Sequence, residues 1–472
     1  MLLVLVSCMA CRPGTTDDGD SELWTAAGCE TEAEVMGTIG QGITTMPTVL
    51  DVRWDEPIEA SVVFKDLDSG RVMITPTTDT GWMLLLGLRQ NTDVEYRVVM
   101  DQDGEVVCSE PREAHTGGLP SSLPALSVSI QDAESYTDGW VAVAVYTENG
   151  HYAAIIDREG EYVWAVGPPF VRDQISRAVL SKDRKHVLLN RWASSSEEIG
   201  AIVQVPIDGR ETTETMAKGI HTDFLEMDDG GFAAIGWEVR DFEEDEGTRH
   251  ILGNTLVELN GVDEPEVVFD MFDHFDPDLD NIYPPSDYEE DVEDWSHLNG
   301  LSYDEDSSDY FISLFGLDAV ARIDGATGAP EWVLSDFHGD FTIEDDETLI
   351  HSSHSVEYLG DDRLLVFNRS AVSPLRAEIE QASTGCSEAV EIQLDLETGS
   401  ASRVWSYATE ECMPVIFLGQ ATRLDDGNTL VLWSSAGQMD EVTPDGESVW
   451  RVNTRVGGAI GFGGFVDSFY AE

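Results

Sequence analysis

The sequence predicts an all-β protein, a small antiparallel β-sandwich followed by a six-bladed β-propeller. Three observations carry this expectation. Short apolar runs of alternating period, split by turn residues, fill the first quarter of the chain. A unit of strand-like runs joined by tight turns then recurs through the remainder. Helix-period patterns are almost absent. With 472 residues, 42% hydrophobic and 25% charged, the chain is too long for one small module and too apolar for disorder. The expected division is a leader and linker at 1–28, a sandwich at 29–118 and a propeller at 119–472.

At the start, Leu5-Val6-Ser7-Cys8 has the small-residue pattern that precedes a lipidated cysteine in exported bacterial proteins. The apolar run Leu2 to Ser7 is shorter than a signal core and no Lys or Arg precedes it, so the translation start is expected upstream. Cys8 is the expected lipidation site and Cys11 the weaker candidate. The expectation is an exported protein at the periplasm or cell surface, touching membrane only through an N-terminal lipid anchor. Cysteines stand at 8, 11, 29, 108, 386 and 412, and the one close pair lies in the leader, so no metal-site spacing is present. Export permits disulfides, and proximity suggests Cys29 with Cys108 and Cys386 with Cys412.

The sandwich is read from the runs Val49 to Trp54, Ala60 to Phe64, Arg71 to Thr75, Trp82 to Leu86, Tyr96 to Met100 and Glu105 to Cys108. The stretch Gly87 to Val98 resembles the part of a fibronectin type III domain where a turn leads into a strand with an inward Tyr, here Tyr96. A fibronectin- or Ig-like sandwich is therefore expected, with Gly117-Gly118-Leu119-Pro120 as linker. The cleanest propeller unit runs from Asp426 to Trp450, and related units begin near Asp138, Lys185, Asp229, Asp309 and Asp362, six in all. Each such sheet buries its faces only against neighbours, which favours a closed ring. Extra length falls at Phe269 to Trp295 and at Ser370 to Ser387.

Charge excludes some partners. Asp plus Glu number 92 against 26 Lys plus Arg, a net charge of -66, so nucleic acid and anionic membrane surfaces are excluded as partners. In the first insert, Asp276, Asp278 and Asp280 offer the alternating oxygens of a Ca²⁺ loop. The glycine after the third ligand is missing and Pro277 intervenes, so a solvated loop is the better reading and no metal is expected. No Ser-His-Asp motif, phosphate-cradling loop or dinucleotide fingerprint stands out.

The segments Asp294 to Asp304, Tyr310 to Ser313 with Ala319 to Asp324, His354 to Phe367, and Gly427 to Trp450 together resemble the bacterial arylsulfotransferase family over the propeller. The resemblance implies transfer of a sulfuryl group from a phenolic sulfate ester to a phenol through a sulfohistidine, without PAPS or another cofactor. Small-molecule aryl sulfate and phenol are the implied partners. Neutral imidazole suits such chemistry, because it is both a nucleophile and a leaving group near neutral pH. Carried over, His354 is the expected nucleophile, with His351 as the alternative, while His297 and His221 would hold the sulfate oxygens. Asn299 and Arg369 are candidate substrate-binding residues, Arg369 because Phe315 stands where the family places an arginine. The remaining histidines, among them His151, are expected on loops or solvent faces. The alternative to an enzyme is a non-catalytic propeller lipoprotein that binds a ligand or partner at the funnel mouth.

Overall fold

The computed structural model describes residues 31–32, 40–41, 44–54, 58–102, 105–148, 150–167, 174–244, 247–261, 264–277, 291–343, 349–369, 386–454 and 458–471. Cys8, Cys11 and Cys29 lie outside these, as do residues 278–290 of the acidic insert and 370–385 of the second insert.

The N-terminal part folds into two sheets. One contains Ala60–Asp66, Val72–Ile74, Asp93–Gln102, Glu105–Cys108 and Arg112–His115, and the other pairs Leu50–Arg53 with Trp82–Leu85. Strands with one apolar face must bury it, and here Val52, Trp54, Val62, Phe64, Leu85, Tyr96 and Val98 form the core between the two. The predicted runs coincide with these strands; Arg112–His115, short and polar, is an addition to them. Cys108 is disulfide-bonded.

From residue 126 on, the described strands fall into six sheets of four or five strands. Consecutive sheets pack on one another and the sixth packs on the first, so they close a ring. Being covered on both faces, their middle strands are continuous apolar runs: Asp309–Leu314 and Thr429–Trp433 are buried throughout. Between the fifth and sixth sheets lie Phe367, Val431 and Trp433; between the third and fourth lie Ile235, Ile312 and Leu314.

The innermost strands are Ala178–Leu180, Ile220–Glu226, Leu298–Asp304, Ser353–Gly360, Gln420–Arg423 and Ala459–Val466. The last of these is the C-terminal strand, which completes the first sheet beside Trp140–Thr147. Leu126–Gln131 completes the sixth sheet beside Ser448–Thr454. Closure therefore uses both ends of the ring-forming chain. A buried ion pair, Arg158 with Glu441, locks the seam: Arg158 donates to the Thr137 carbonyl at 2.7 Å and Glu441 accepts from Asn428 Nδ2 at 2.7 Å. The Arg158 guanidinium also lies 4.6 Å over Trp450.

The sandwich sits against the first sheet through Arg89 to Asp157 at 2.7 Å, and the Tyr470 hydroxyl donates to the Leu84 carbonyl at 2.9 Å. Cys386 and Cys412 form a disulfide across 26 positions, with Cα atoms 4.7 Å apart. Among the described residues no helix is long and apolar enough to cross a membrane.

Candidate functional site

One end of the ring opens into a cavity of about 450 Å³. His221, His297, Asn299, Phe315, His354 and Arg369 all line it. His221 and His354 are each second in their inner strand, and His297 immediately precedes a third, so all three stand at the same end of the ring.

Strand alternation alone would not aim these side chains inward. Each of the three inner strands carries a register break at the site: between His221 and Phe224, between Leu298 and Gly300, and between Ser353 and Ser355. Asn299 and His354 are the extra residues of their breaks, and such bulges re-aim side chains. Gly300 makes the close approach workable, since a Cβ there would lie 2.8 Å from the His354 carbonyl oxygen. His297 and Thr222 also hold positive φ, 45° and 39°, in the region that non-glycine residues avoid and that recurs at functional sites.

The imidazoles differ in what holds them. Asn254 Oδ1 accepts from Leu298 N at 2.9 Å and from Ser296 Oγ at 2.8 Å, which turns its amide nitrogen to His221 Nε2 at 3.0 Å. Nε2 of His221 therefore accepts, and Nδ1–H donates to Thr222 Oγ1 at 2.6 Å. The His221 ring also stacks on Trp237, centroids 4.2 Å apart. Burial, with His297 nearby, pushes its pKa well below the ordinary value, so the ring is neutral.

His297 donates Nδ1–H to the Asp294 carboxylate, and its ring lines the cavity. His354 is 3% exposed, and its Nδ1 has no hydrogen-bond partner among the described residues. Burial first, then Arg369 and His297, hold its pKa well below the ordinary value. His351 turns away: its Nδ1 meets the Arg369 carbonyl at 2.7 Å and it does not line the cavity.

Two donors complete the polar half. Asn299 Oδ1 accepts from Ser313 Oγ at 2.8 Å, while its Nδ2 has no partner among the described residues. Arg369 is the one Lys or Arg among the described lining residues. Its guanidinium lies 4.3 Å over the Phe315 ring, and its Nε donates to the Ser352 carbonyl at 3.2 Å. A cation thus enters from the fifth sheet, stacked on the aromatic ring of the fourth.

A sequence model of the arylsulfotransferase (ASST) family matches residues 127–454, the whole extent of the ring up to its last inner strand. The chain belongs to this family. Membership implies the family's substrate class, small-molecule aryl sulfates and phenols. A search of curated proteins gave no match. Solved structures similar to this family member are distant. A protein of unknown function from Bacteroides caccae is 15% identical, covering 70% of this chain and 100% of its own, at a TM-score of 0.43. The Cps50 (Swd1) β-propeller domain of Myceliophteria thermophila is 10% identical, covering 71% and 88%, at a TM-score of 0.39.

Sequence reasoning missed part of this site. His151, expected on a loop or solvent face, sits on the strand Gly150–Asp157 and lines the cavity. Trp192, Trp237 and Phe417 form aromatic wall, and Asp294 and Asn254 orient the imidazoles. Only Asp294 had a signal, three residues before His297 in a segment already singled out. Among the described residues no group of His, Cys, Asp or Glu could hold a metal ion.

Proposed function

We propose that the protein is a PAPS-independent aryl sulfotransferase that works in two steps through a sulfohistidine on His354. The observation that carries this reading is the convergence on a single cavity of the His221, His297 and His354 imidazoles, one guanidinium and an amide donor with no partner among the described residues. In the first step a ring nitrogen of neutral His354 attacks the sulfur of the aryl sulfate. An S–N bond forms, and the S–O bond to the arene breaks with its electron pair on the phenolate oxygen. In the second step the acceptor phenol oxygen attacks the same sulfur, and the S–N electron pair returns to the imidazole. Over the cycle the proton lost by the acceptor equals the one gained by the departing phenolate. His297, anchored by Asp294, is the group assigned to that exchange.

The equatorial oxygens of the sulfuryl group face Asn299 Nδ2 and the Arg369 guanidinium in this reading, donors preorganised before substrate arrives. His221, with both nitrogens engaged, braces the wall on which Trp237 stacks.

The test is sulfuryl transfer from 4-nitrophenyl sulfate to a phenol. Wild type should release 4-nitrophenol and form the aryl sulfate, and His354→Ala should lose both. Phe315, standing where the family resemblance places an arginine, favours the alternative of a non-catalytic ligand-binding protein. No transfer by wild type across several donors and salt levels would select that alternative. Lipidation belongs to the same proposal: metabolic labelling with a fatty acid should mark the exported protein and vanish in Cys8→Ala.

A further inference from the structure

The ring divides the cavity into unlike halves. Sheets three to five supply His221, His297, Asn299, His354 and Arg369, the groups used above. The opposite wall, from the sixth sheet's side round to the second, is largely aromatic and apolar, with Ile416, Phe417, Tyr146 and Trp192 around Gln174 and His151. Ile416 and Phe417 are 66% and 40% exposed, large apolar side chains at the rim. Their segment is nonetheless held, by the Cys386–Cys412 disulfide, by Ile416 N to Ser435 Oγ at 3.0 Å and by Val415 N to Ser387 Oγ at 2.9 Å. A rigid apolar rim is ready to take an arene with little ordering cost.

The polar groups of this half, His151, Gln174 and the Tyr146 hydroxyl, have no part in the sulfuryl chemistry, and His151 is the one whose proton the structure places. His151 pairs in register with Tyr146, their ring centroids 4.3 Å apart. The Ile175 backbone N–H donates to His151 Nδ1 at 3.3 Å. That nitrogen therefore bears the lone pair, and the neutral ring carries its proton on Nε2. Burial lowers the pKa of His151, which keeps the ring neutral near pH 7. Nε2 has no hydrogen-bond partner among the described residues, and the ring lines the cavity. The half that receives the arene thus holds, beside the Gln174 amide and the Tyr146 hydroxyl, an imidazole donor whose tautomer is fixed by the backbone.

We infer that His151 Nε2–H is a specificity site, recognising a hydrogen-bond acceptor carried on the phenol away from its reacting hydroxyl. The substrate class is then phenols with a carbonyl or ether oxygen on a side arm, in preference to alkylphenols of the same shape. This rests on the sulfotransferase reading for which end of the arene faces His354. It does not rest on that reading for the contact itself.

Two isosteric probes test it: 4-(4-hydroxyphenyl)butan-2-one, and 4-(3-methylbut-3-enyl)phenol, in which a methylidene group replaces the carbonyl oxygen. Saturated carbons insulate the phenol in both. Binding is followed by quenching of tryptophan fluorescence, since Trp192 and Trp237 line the cavity. In wild type the ketone should bind more tightly although it is the less apolar of the two. The ratio of the two Kd values should fall about tenfold in His151→Leu and recover in part in His151→Gln, which retains a donor. Phe417→Ala should weaken both probes and leave their ratio in place. A wild-type preference for the methylidene probe, or a ratio unmoved by His151→Leu, overturns the inference. Should His151→Leu not fold, the wild-type pair and His151→Gln decide alone. Absence of sulfuryl transfer to either phenol would count against the proposed function, while the binding ratio still decides this site.

Discussion

A nucleophilic imidazole must be neutral, and the buried His354 makes that requirement measurable as stability. Burial, reinforced by Arg369 and His297, holds its pKa well below the ordinary value in the folded protein. In the unfolded chain the ring returns to about 6.5. On acidification the unfolded state binds a proton that the folded state refuses, so stability falls as pH drops through and below about 6.5. For a ring still neutral in the fold at pH 5.5, the cost is about 1.4 kcal/mol at that pH and below about 0.1 kcal/mol at pH 7.5.

His354→Gln removes this cost and keeps a polar side chain of similar reach. Wild type should therefore lose about 1.4 kcal/mol relative to the variant between pH 7.5 and pH 5.5. Urea unfolding at the two pH values measures it. Glu357, raised by burial to about 7, and Asp157, raised by burial to about 6, act with the opposite sign. Their folded forms hold the extra proton, so their contribution grows as pH falls. Both are common to the two proteins and cancel in the difference. A gap between wild type and variant that stays flat across the two pH values would refute the reasoning, because the folded ring would then take up its proton as readily as the unfolded one. An imidazolium has no lone pair with which to attack sulfur.

Asp294→Asn should lower kcat/KM about 10- to 150-fold, mainly in kcat, because a charge-assisted hydrogen bond of about 1.5–3 kcal/mol orients His297; steady-state kinetics with 4-nitrophenyl sulfate checks it. Glu441→Gln leaves the Arg158 guanidinium buried without its counter-charge and should cost about 3–5 kcal/mol, seen as a lower urea midpoint. Replacing Cys386 and Cys412 together by Ser reopens a loop of 26 positions and should cost about 3.5 kcal/mol. The same change should raise KM for the phenol acceptor more than for the donor, because Cys412 anchors the segment that follows it, which carries Phe417 and Leu418 into the cavity wall.

What could be read from the sequence follows from where each signal resides. Middle strands such as Asp309–Leu314 and Thr429–Trp433 are apolar throughout because each sheet lies between two others, and an unbroken apolar run is visible in one dimension. Inner strands are different. Ser353–Gly360 begins on polar site residues, and Ala459–Val466 is rich in glycine because the hub has no room for more. A Cβ on Gly463 would lie 2.3 Å from the Ala142 carbonyl oxygen. Crowding at the hub thus erases the strand signal where the site is built. Double closure was invisible for another reason: it joins Ser129 to Asn453 across 324 positions, beyond any local pattern.

The same distinction separates the site residues found from those missed. His221, His297 and His354 could be singled out because each sits in a segment with a motif of its own, and their shared position at the strand start brings them together. His151 precedes the fully buried run Tyr152–Asp157, so by itself it reads as the exposed edge of a strand. Only the ring turns that edge inward. Asn254 carries no sequence signal either, since its work is to fix a proton on a histidine 33 residues away. Residue type therefore announces which side chains can do chemistry. Their tautomers and directions come from bulges and cross-sheet hydrogen bonds, and those exist only once the ring is closed.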